Sequence, residues 1–141
     1  MKNNMNFYQY KIEDIDVYDG DTITATLDMG CNKKWHKRKM RLYGLDTPEI
    51  RKRGDPLHRE AGRMVRDFLQ AYLEMNLDKV YVETHRDKSG MYGRLLVTLH
   101  SGDGLNINEY MIKSGFAKPT GKSGKRQPWT KNELQAIINN M

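Results

Sequence analysis

The feature that most constrains this chain is a single helical stripe set among short alternating segments. Ala61, Met64, Val65, Phe68, Leu69, Tyr72 and Leu73 recur at the three-four spacing that lines one face of an α-helix with apolar side chains. Three β-like segments precede it, at 8–17, 22–27 and 35–45, the second alternating as Ile23, Ala25 and Leu27. Two more follow, at 79–84 and 94–100, the last alternating as Leu95, Val97 and Leu99. The glycines of 87–93 predict a hairpin loop between those two. A shorter stripe, Ile107, Tyr110 and Met111, ends at Ser114-Gly115. Thr130-Lys-Asn-Glu133 reads as a capping box ahead of Leu134, Ile137, Ile138 and Met141.

The order is three strands, one helix, two strands and two helices. Five strands with a helix between the third and fourth suit a small closed barrel of oligonucleotide-binding type. The expected class is therefore α+β, mainly β: a five-stranded OB-fold barrel with three helices. A length of 141 residues suits one domain with a usable core, read as 1–141 with its core starting near residue 8. The segment KPTGKSGKRQPW, 118–129, predicts a mobile basic loop.

Composition narrows the function classes. No run approaches the ~18 apolar residues of a membrane span, and MKNNMNFYQYKIED lacks the apolar stretch of a signal peptide. An intracellular, monomeric protein is expected, of bacterial or phage origin. Cys31 is the one cysteine, so no internal disulfide forms, and His36, His58, His85 and His100 have no zinc spacing. The net charge is +6, but 31–66 alone carry twelve Lys/Arg against four Asp/Glu. Such concentration points to a polyanionic partner, nucleic acid first, although charge runs also serve as plain solvated surface.

The run YDGDTITATL places Asp19 and Asp21 two residues apart at the head of a β-like segment. On a strand they share a face and repel; in a hairpin, Asp-Gly is ordinary turn chemistry. A second acidic pair, Asp46 and Glu49, closes RLYGLDTPE, where Pro48 biases Thr47 towards extended geometry. Arg41 opens that stretch, and Arg94 follows the tight MYG turn. Each alone reads as a turn acid or a surface arginine. Together they contain what phosphodiester hydrolysis needs: hard oxygens for a divalent cation, a carboxylate for water, and guanidinium forks for phosphate. A calcium-sensor loop counted from Asp19 fails, since position five is Ile23 and position twelve is Gly30 rather than an acid.

DGDT, then R-x-x-x-x-D-T-P-E, then YGR, in this order, resembles the staphylococcal nuclease (thermonuclease) family, over nearly the whole chain. The resemblance implies an OB-fold barrel with three helices and calcium-dependent cleavage of DNA and RNA, the 5′-oxygen leaving to give 3′-phosphate ends. It implies that Asp21, Asp46 and the Thr47 carbonyl hold the metal, with Asp19 acting from outside through water. It casts Glu49 as the residue that deprotonates or positions the water, Arg41 and Arg94 as the phosphate clamp, and Tyr92 as a neighbour of the bound nucleotide. With no leader seen, magnesium or manganese stand as alternatives to calcium.

The match breaks in three places. Met91 stands where the family often has a lysine, which leaves Lys88 to reach a phosphate. The family's two tyrosines after the second helix are absent, leaving Phe116 and Trp129 as aromatics. Trp129 either stacks a base or packs the last helix, and Lys122, Lys125 and Arg126 are assigned to backbone phosphates. The stretch CNKKWHKRK, within 31–39, is either a plain hairpin extension or a basic arm for longer substrate. A non-catalytic OB-fold module that binds nucleic acid is the competing reading.

Overall fold

The computed structural model describes residues 7–89, 94–120 and 125–140, with the backbone alone for 86–89. Ten elements follow one another: β1 (Gln9–Asp19), β2 (Thr22–Gly30), β3 (Lys33–Leu42), β4 (Leu45–Asp46), α1 (Pro56–Met75), β5 (Val80–Ser89), β6 (Leu95–Ser101), α2 (Ile107–Lys113), β7 (Lys118–Pro119) and α3 (Lys131–Asn140). The long strands close into the barrel the periodicity predicts, in the order β1-β2-β3-β6-β5 with β5 pairing back to β1. The pairing of β3 with β6 is parallel and the others are antiparallel.

The three helices stand where their stripes place them. Asp55 caps α1 by accepting from the His58 N–H at 3.0 Å, and Pro56 opens the first turn, where its missing donor costs nothing. Ala61, Val65, Leu69 and Leu73 are buried against the barrel with Ile23, Met40, Leu42, Val82 and Leu99. Asn106 caps α2, accepting from the Glu109 N–H at 3.1 Å. The Thr130–Glu133 capping box forms reciprocally before α3, at 2.9 Å and 3.2 Å.

Two polar side chains tie helices to the barrel. Asp14 adopts a left-handed φ of 53°, and the β1–β2 register shifts between Glu13 and Asp16. Gln70 of α1 takes up the groups this bulge leaves, accepting from the Val17 N–H at 2.7 Å and donating to the Ile15 carbonyl at 3.1 Å. Buried Asn108 of α2 donates to the carbonyls of Tyr43 and Val97 and accepts from the Leu99 N–H.

Some boundaries differ from the sequence reading. β5 continues to Ser89, so 87–89 are strand rather than loop, because the barrel ladder carries them to a pairing of Ser89 with Leu95. The third strand stops at Leu42. Gly44, at a φ of 80°, turns the chain, and Leu45–Asp46 pair with Lys118–Pro119 in a separate two-stranded sheet. The start of the expected 118–129 loop is thus strand, and 121–124 lie outside the described residues. The 31–39 stretch forms the tip and one arm of a long β2–β3 hairpin, with Cys31 and Asn32 both left-handed at the turn. No described helix is long and apolar enough to cross a membrane.

Gly62 lets α1 lie against the loop after β4. A Cβ there would stand 2.7 Å from the Pro48 carbonyl oxygen and 3.0 Å from the Glu49 carbonyl carbon. In a helix interior, glycine to alanine ordinarily gains about 0.5–1 kcal/mol. Here the sign should reverse: Gly62→Ala is predicted to lower stability by about 1–3 kcal/mol through overpacking. Denaturant unfolding measures it, and a variant more stable than the parent would refute the close contact.

Candidate active site

Of the two acids in YDGDTITATL, Asp19 ends a strand and Asp21 lies in the turn after it, so they do not share a strand face. Asp19 ends β1 opposite Thr22, and Gly20-Asp21 make the corner. Gly20 makes room for its neighbours, since a Cβ would lie 2.5 Å from Val65 Cγ1 of α1 and 3.1 Å from the Thr47 side chain. The corner therefore rests on both the helix and the residues after β4.

Asp21 is 4% exposed and is bonded on both oxygens. Oδ1 accepts from the Thr22 hydroxyl at 2.9 Å and faces Arg41 Nη1 at 3.2 Å. Oδ2 accepts from the Thr47 N–H at 3.1 Å. Arg41, reaching from β3, also donates Nη2 to the Leu45 carbonyl at 3.2 Å and stands 3.7 Å from Asp46 Oδ1. Asp46, equally buried, has no hydrogen bond to Oδ1 among the described residues. Burial, with the Asp21 charge adding to it, raises its carboxyl from 3.8 to about 6 against the pull of Arg126 and Arg41. Asp19 is raised in the same direction, by burial first, although the Ile50 N–H donated to it at 3.2 Å opposes the shift.

Arg126, placed by sequence in a basic loop over phosphates, lies instead against the acids. Its Nη1 meets Glu49 Oε1 at 2.6 Å and its Nε stands 3.5 Å from Asp46 Oδ1. Unscreened carboxylates attract the nearest guanidinium, and half-exposed Arg126 is within reach.

These side chains border two adjoining cavities. The larger, about 730 Å³, is lined by Asp19, Asp21, Arg41, Glu49, Arg94 and Arg126, together with Tyr18, Lys39 and Arg51. The smaller, about 500 Å³, is lined by Asp46, Thr47, Glu49, Arg126 and Trp129, together with Lys52, His58 and Gln127. Glu49 and Arg126 belong to both. Trp129 is half-buried against the core, with the Lys118 ammonium 5.4 Å above its ring. Lys125 is exposed and lines neither cavity. Tyr92, Lys122 and the Lys88 side chain lie outside the described residues.

The sequence reading passed over Lys52, His58 and Gln127. His58 was legible in part, since the Asp55-Pro56 helix start fixes it in the first turn of α1. Burial lowers its pKa, so the ring is neutral at pH 7. No group of three or more His, Cys, Asp or Glu among the described residues is arranged to hold a metal by side chains alone. A cation here would draw on two carboxylates, with backbone and water oxygens completing its shell.

Comparison with known proteins agrees with this geometry. The thermonuclease of Staphylococcus hyicus is 29% identical over 98% of this chain and 78% of its own length. The thermonuclease of Staphylococcus intermedius is 31% identical over 72% of this chain and 55% of its own. An uncharacterized protein of Methanocaldococcus jannaschii is 28% identical over 74% and 56%. The chain thus spans about half the length of the latter two relatives. The family model described as staphylococcal nuclease homologue matches residues 39–140, which include Arg41, Asp46, Glu49 and Arg94. With the closed barrel and the acid–arginine cluster at one end of it, the chain belongs to the staphylococcal nuclease family.

Proposed function

We propose that this protein is a metal-dependent nuclease that hydrolyses phosphodiester bonds in DNA and RNA. The observation that carries the reading is Arg41, which faces the buried carboxylates of Asp21 and Asp46 from the wall of a cavity also lined by Glu49 and Arg94. The donor set fits a hard divalent cation. Asp21 and Asp46 are two buried carboxylates side by side, and Asp46 Oδ1 has no hydrogen bond among the described residues. Asp21, Asp46 and the Thr47 carbonyl would hold calcium, with magnesium or manganese as alternatives. Such an ion, when bound, supplies positive charge to the phosphate oxygens and relieves the repulsion between the acids.

The chain's own groups do the rest. Arg41 and Arg94 present forks to the non-bridging oxygens and stabilise the charge that grows on them. Glu49 holds the attacking water and accepts its proton, and Asp19 orders water at the edge of the site. The new bond forms from water to phosphorus in line with the departing 5′-oxygen, which solvent protonates, leaving a 3′-phosphate. Arg126 releases Glu49 and turns to the phosphate as substrate arrives, the role sequence assigns it together with Lys88, Lys122 and Lys125. Tyr92 flanks the nucleotide.

Digestion of plasmid and of RNA tests the reading, with chelator and then with calcium, magnesium or manganese restored singly. Cleavage should stop with chelator and return with a cation. Arg41→Ala and Arg94→Ala should each lose roughly 10²–10³ in kcat, the usual worth of one preorganised donor, and Asp19→Ala should lose less than either. Full activity in chelator would exclude the metal chemistry, and binding without cleavage under every cation would leave a non-catalytic OB-fold module.

Stability against pH tests the acid pair. Asp46 keeps its proton to about pH 6 when folded, against 3.8 unfolded, so the folded state binds the extra proton and loses stability as pH rises between those values. The deficit is complete once pH stands well above that folded value. Asp46→Asn should therefore raise the melting temperature in chelator at pH 7.5 and change it little at pH 3.5. Added calcium should raise the parent more than the variant. A variant that melts lower than the parent at pH 7.5 in chelator would contradict the repulsion.

The β2–β3 hairpin carries exposed Lys33, Lys37 and Arg38 beyond the barrel. Read as a basic arm, it contacts phosphates remote from the cleaved bond. Replacing the three by glutamine should raise KM for long duplex DNA severalfold at low salt and leave a short oligonucleotide unaffected. Equal effects on both lengths would reduce the hairpin to solvated surface.

A further inference from the structure

Arg126 engages two groups on which the nuclease reading depends. Its Nη1 donates to Glu49 Oε1 at 2.6 Å, so the carboxylate assigned to the attacking water is already taken. Its Nε stands 3.5 Å from Asp46 Oδ1, the buried oxygen with no hydrogen bond among the described residues. Arg126 forms no other ion pair or hydrogen bond among the described residues. A single guanidinium thus lies across one carboxylate meant for the metal and another meant for water.

Arg41 approaches the same Asp46 oxygen, at 3.7 Å, but it is anchored differently. Its Nη2 donates to the Leu45 carbonyl at 3.2 Å, its Nη1 faces Asp21 at 3.2 Å, and its side chain is 15% exposed. The Arg126 side chain is 51% exposed and rests on carboxylates alone. Ion pairs in contact with solvent are held weakly. A dication on Asp46 and a guanidinium 3.5 Å from the same oxygen are like charges at close range, and they repel strongly where water is scarce. Of the two arginines, Arg126 is the one that can withdraw without giving up a bond to the backbone, and solvent is there to receive it.

We propose that Arg126 is an internal competitor for the divalent cation: a latch across Asp46 and Glu49 that sets how tightly the site binds metal and keeps Glu49 engaged until a cation displaces it. The inference rests on the nuclease reading for the cation and for the task of Glu49. Cation binding and the freeing of Glu49 are then linked, since the same carboxylates cannot serve both partners. The site calls for more cation than its acids alone would need. The displaced guanidinium is left free for a phosphate of the arriving substrate.

Calorimetric titration with calcium, and separately with manganese, tests the latch without nucleic acid present. Arg126→Gln should bind the cation about five- to twentyfold more tightly than the parent, within the usual range of coupling between two binding events. Lys52→Gln removes the same charge from the lining of the smaller cavity without an ion pair to the acids, and should shift affinity less than about twofold. The gain in Arg126→Gln should persist at about 0.5 M salt, where the field of a remote charge is screened. Arg126→Lys, a point charge without the fork, should fall between parent and Arg126→Gln. Affinity unchanged or weakened in Arg126→Gln, as a purely structural arginine would give, or a gain matched by Lys52→Gln, would overturn the latch. Cation-dependent cleavage alongside that result would leave the nuclease reading standing. Tighter cation binding in Arg126→Gln with no cleavage by the parent under any cation would do the reverse.

Discussion

The structure turns on Asp21. Its carbonyl accepts from the Leu42 N–H at 2.9 Å, and its carboxylate accepts from Thr22 and Thr47 and faces Arg41. One residue therefore joins the β1–β2 corner, the end of β3 and the start of the loop after β4. A hydrogen bond of this kind contributes only about 1 kcal/mol net. Its weight is geometric: it brings Arg41, Asp46 and Thr47 to one place although they come from segments remote from Asp21 in sequence.

That geometry has an electrostatic cost. Two buried carboxylates repel, and desolvation adds to the repulsion. Two arginines stand by, yet Asp46 is still raised to about 6, with burial the largest cause. Desolvation and a like charge thus outweigh two guanidiniums at 3.5 Å and 3.7 Å, which are close enough for attraction and too far for good hydrogen bonds. A site content with its own charges would be expected to hold both acids ionised through fork-like contacts. The repulsion left in the pair is what the dication of the proposed function would relieve.

The barrel was legible because periodicity reports burial directly: Ile23, Ala25 and Leu27 alternate inwards, and Ala61, Val65, Leu69 and Leu73 face the core. The boundaries were less so, since ladder pairing across the barrel decides where β5 ends and local glycines do not. The motif residues Asp19, Asp21, Arg41, Glu49 and Arg94 line one cavity. Asp46 is turned towards the second. The contact of Arg126 with Asp46 and Glu49 was not legible, because those partners stand about 80 residues away and no local pattern reveals a contact of that span. His58 was set aside for want of a metal spacing, a test that asks nothing about cavities.

The segment that leads into the C-terminal helix, Arg126 to Trp129, walls the smaller cavity. Asp46 pairs with Lys118 in the β4–β7 ladder, and the Lys118 ammonium reaches the Pro128 carbonyl at 3.0 Å and Glu133 at 2.9 Å. Glu133 is also the capping-box acid of α3, held below the usual glutamate range first by the Thr130 N–H and then by Lys118. Between these anchors the chain carries Trp129 beneath the ammonium and ends at α3, which packs on α1. α1 in turn presses Gly62 against the Pro48–Glu49 backbone. The contacts thus close a ring: α1 packs on the Glu49 backbone and Arg126 pairs with its carboxylate. The packing of α1 on this backbone explains how a residue outside any strand or helix is held in place.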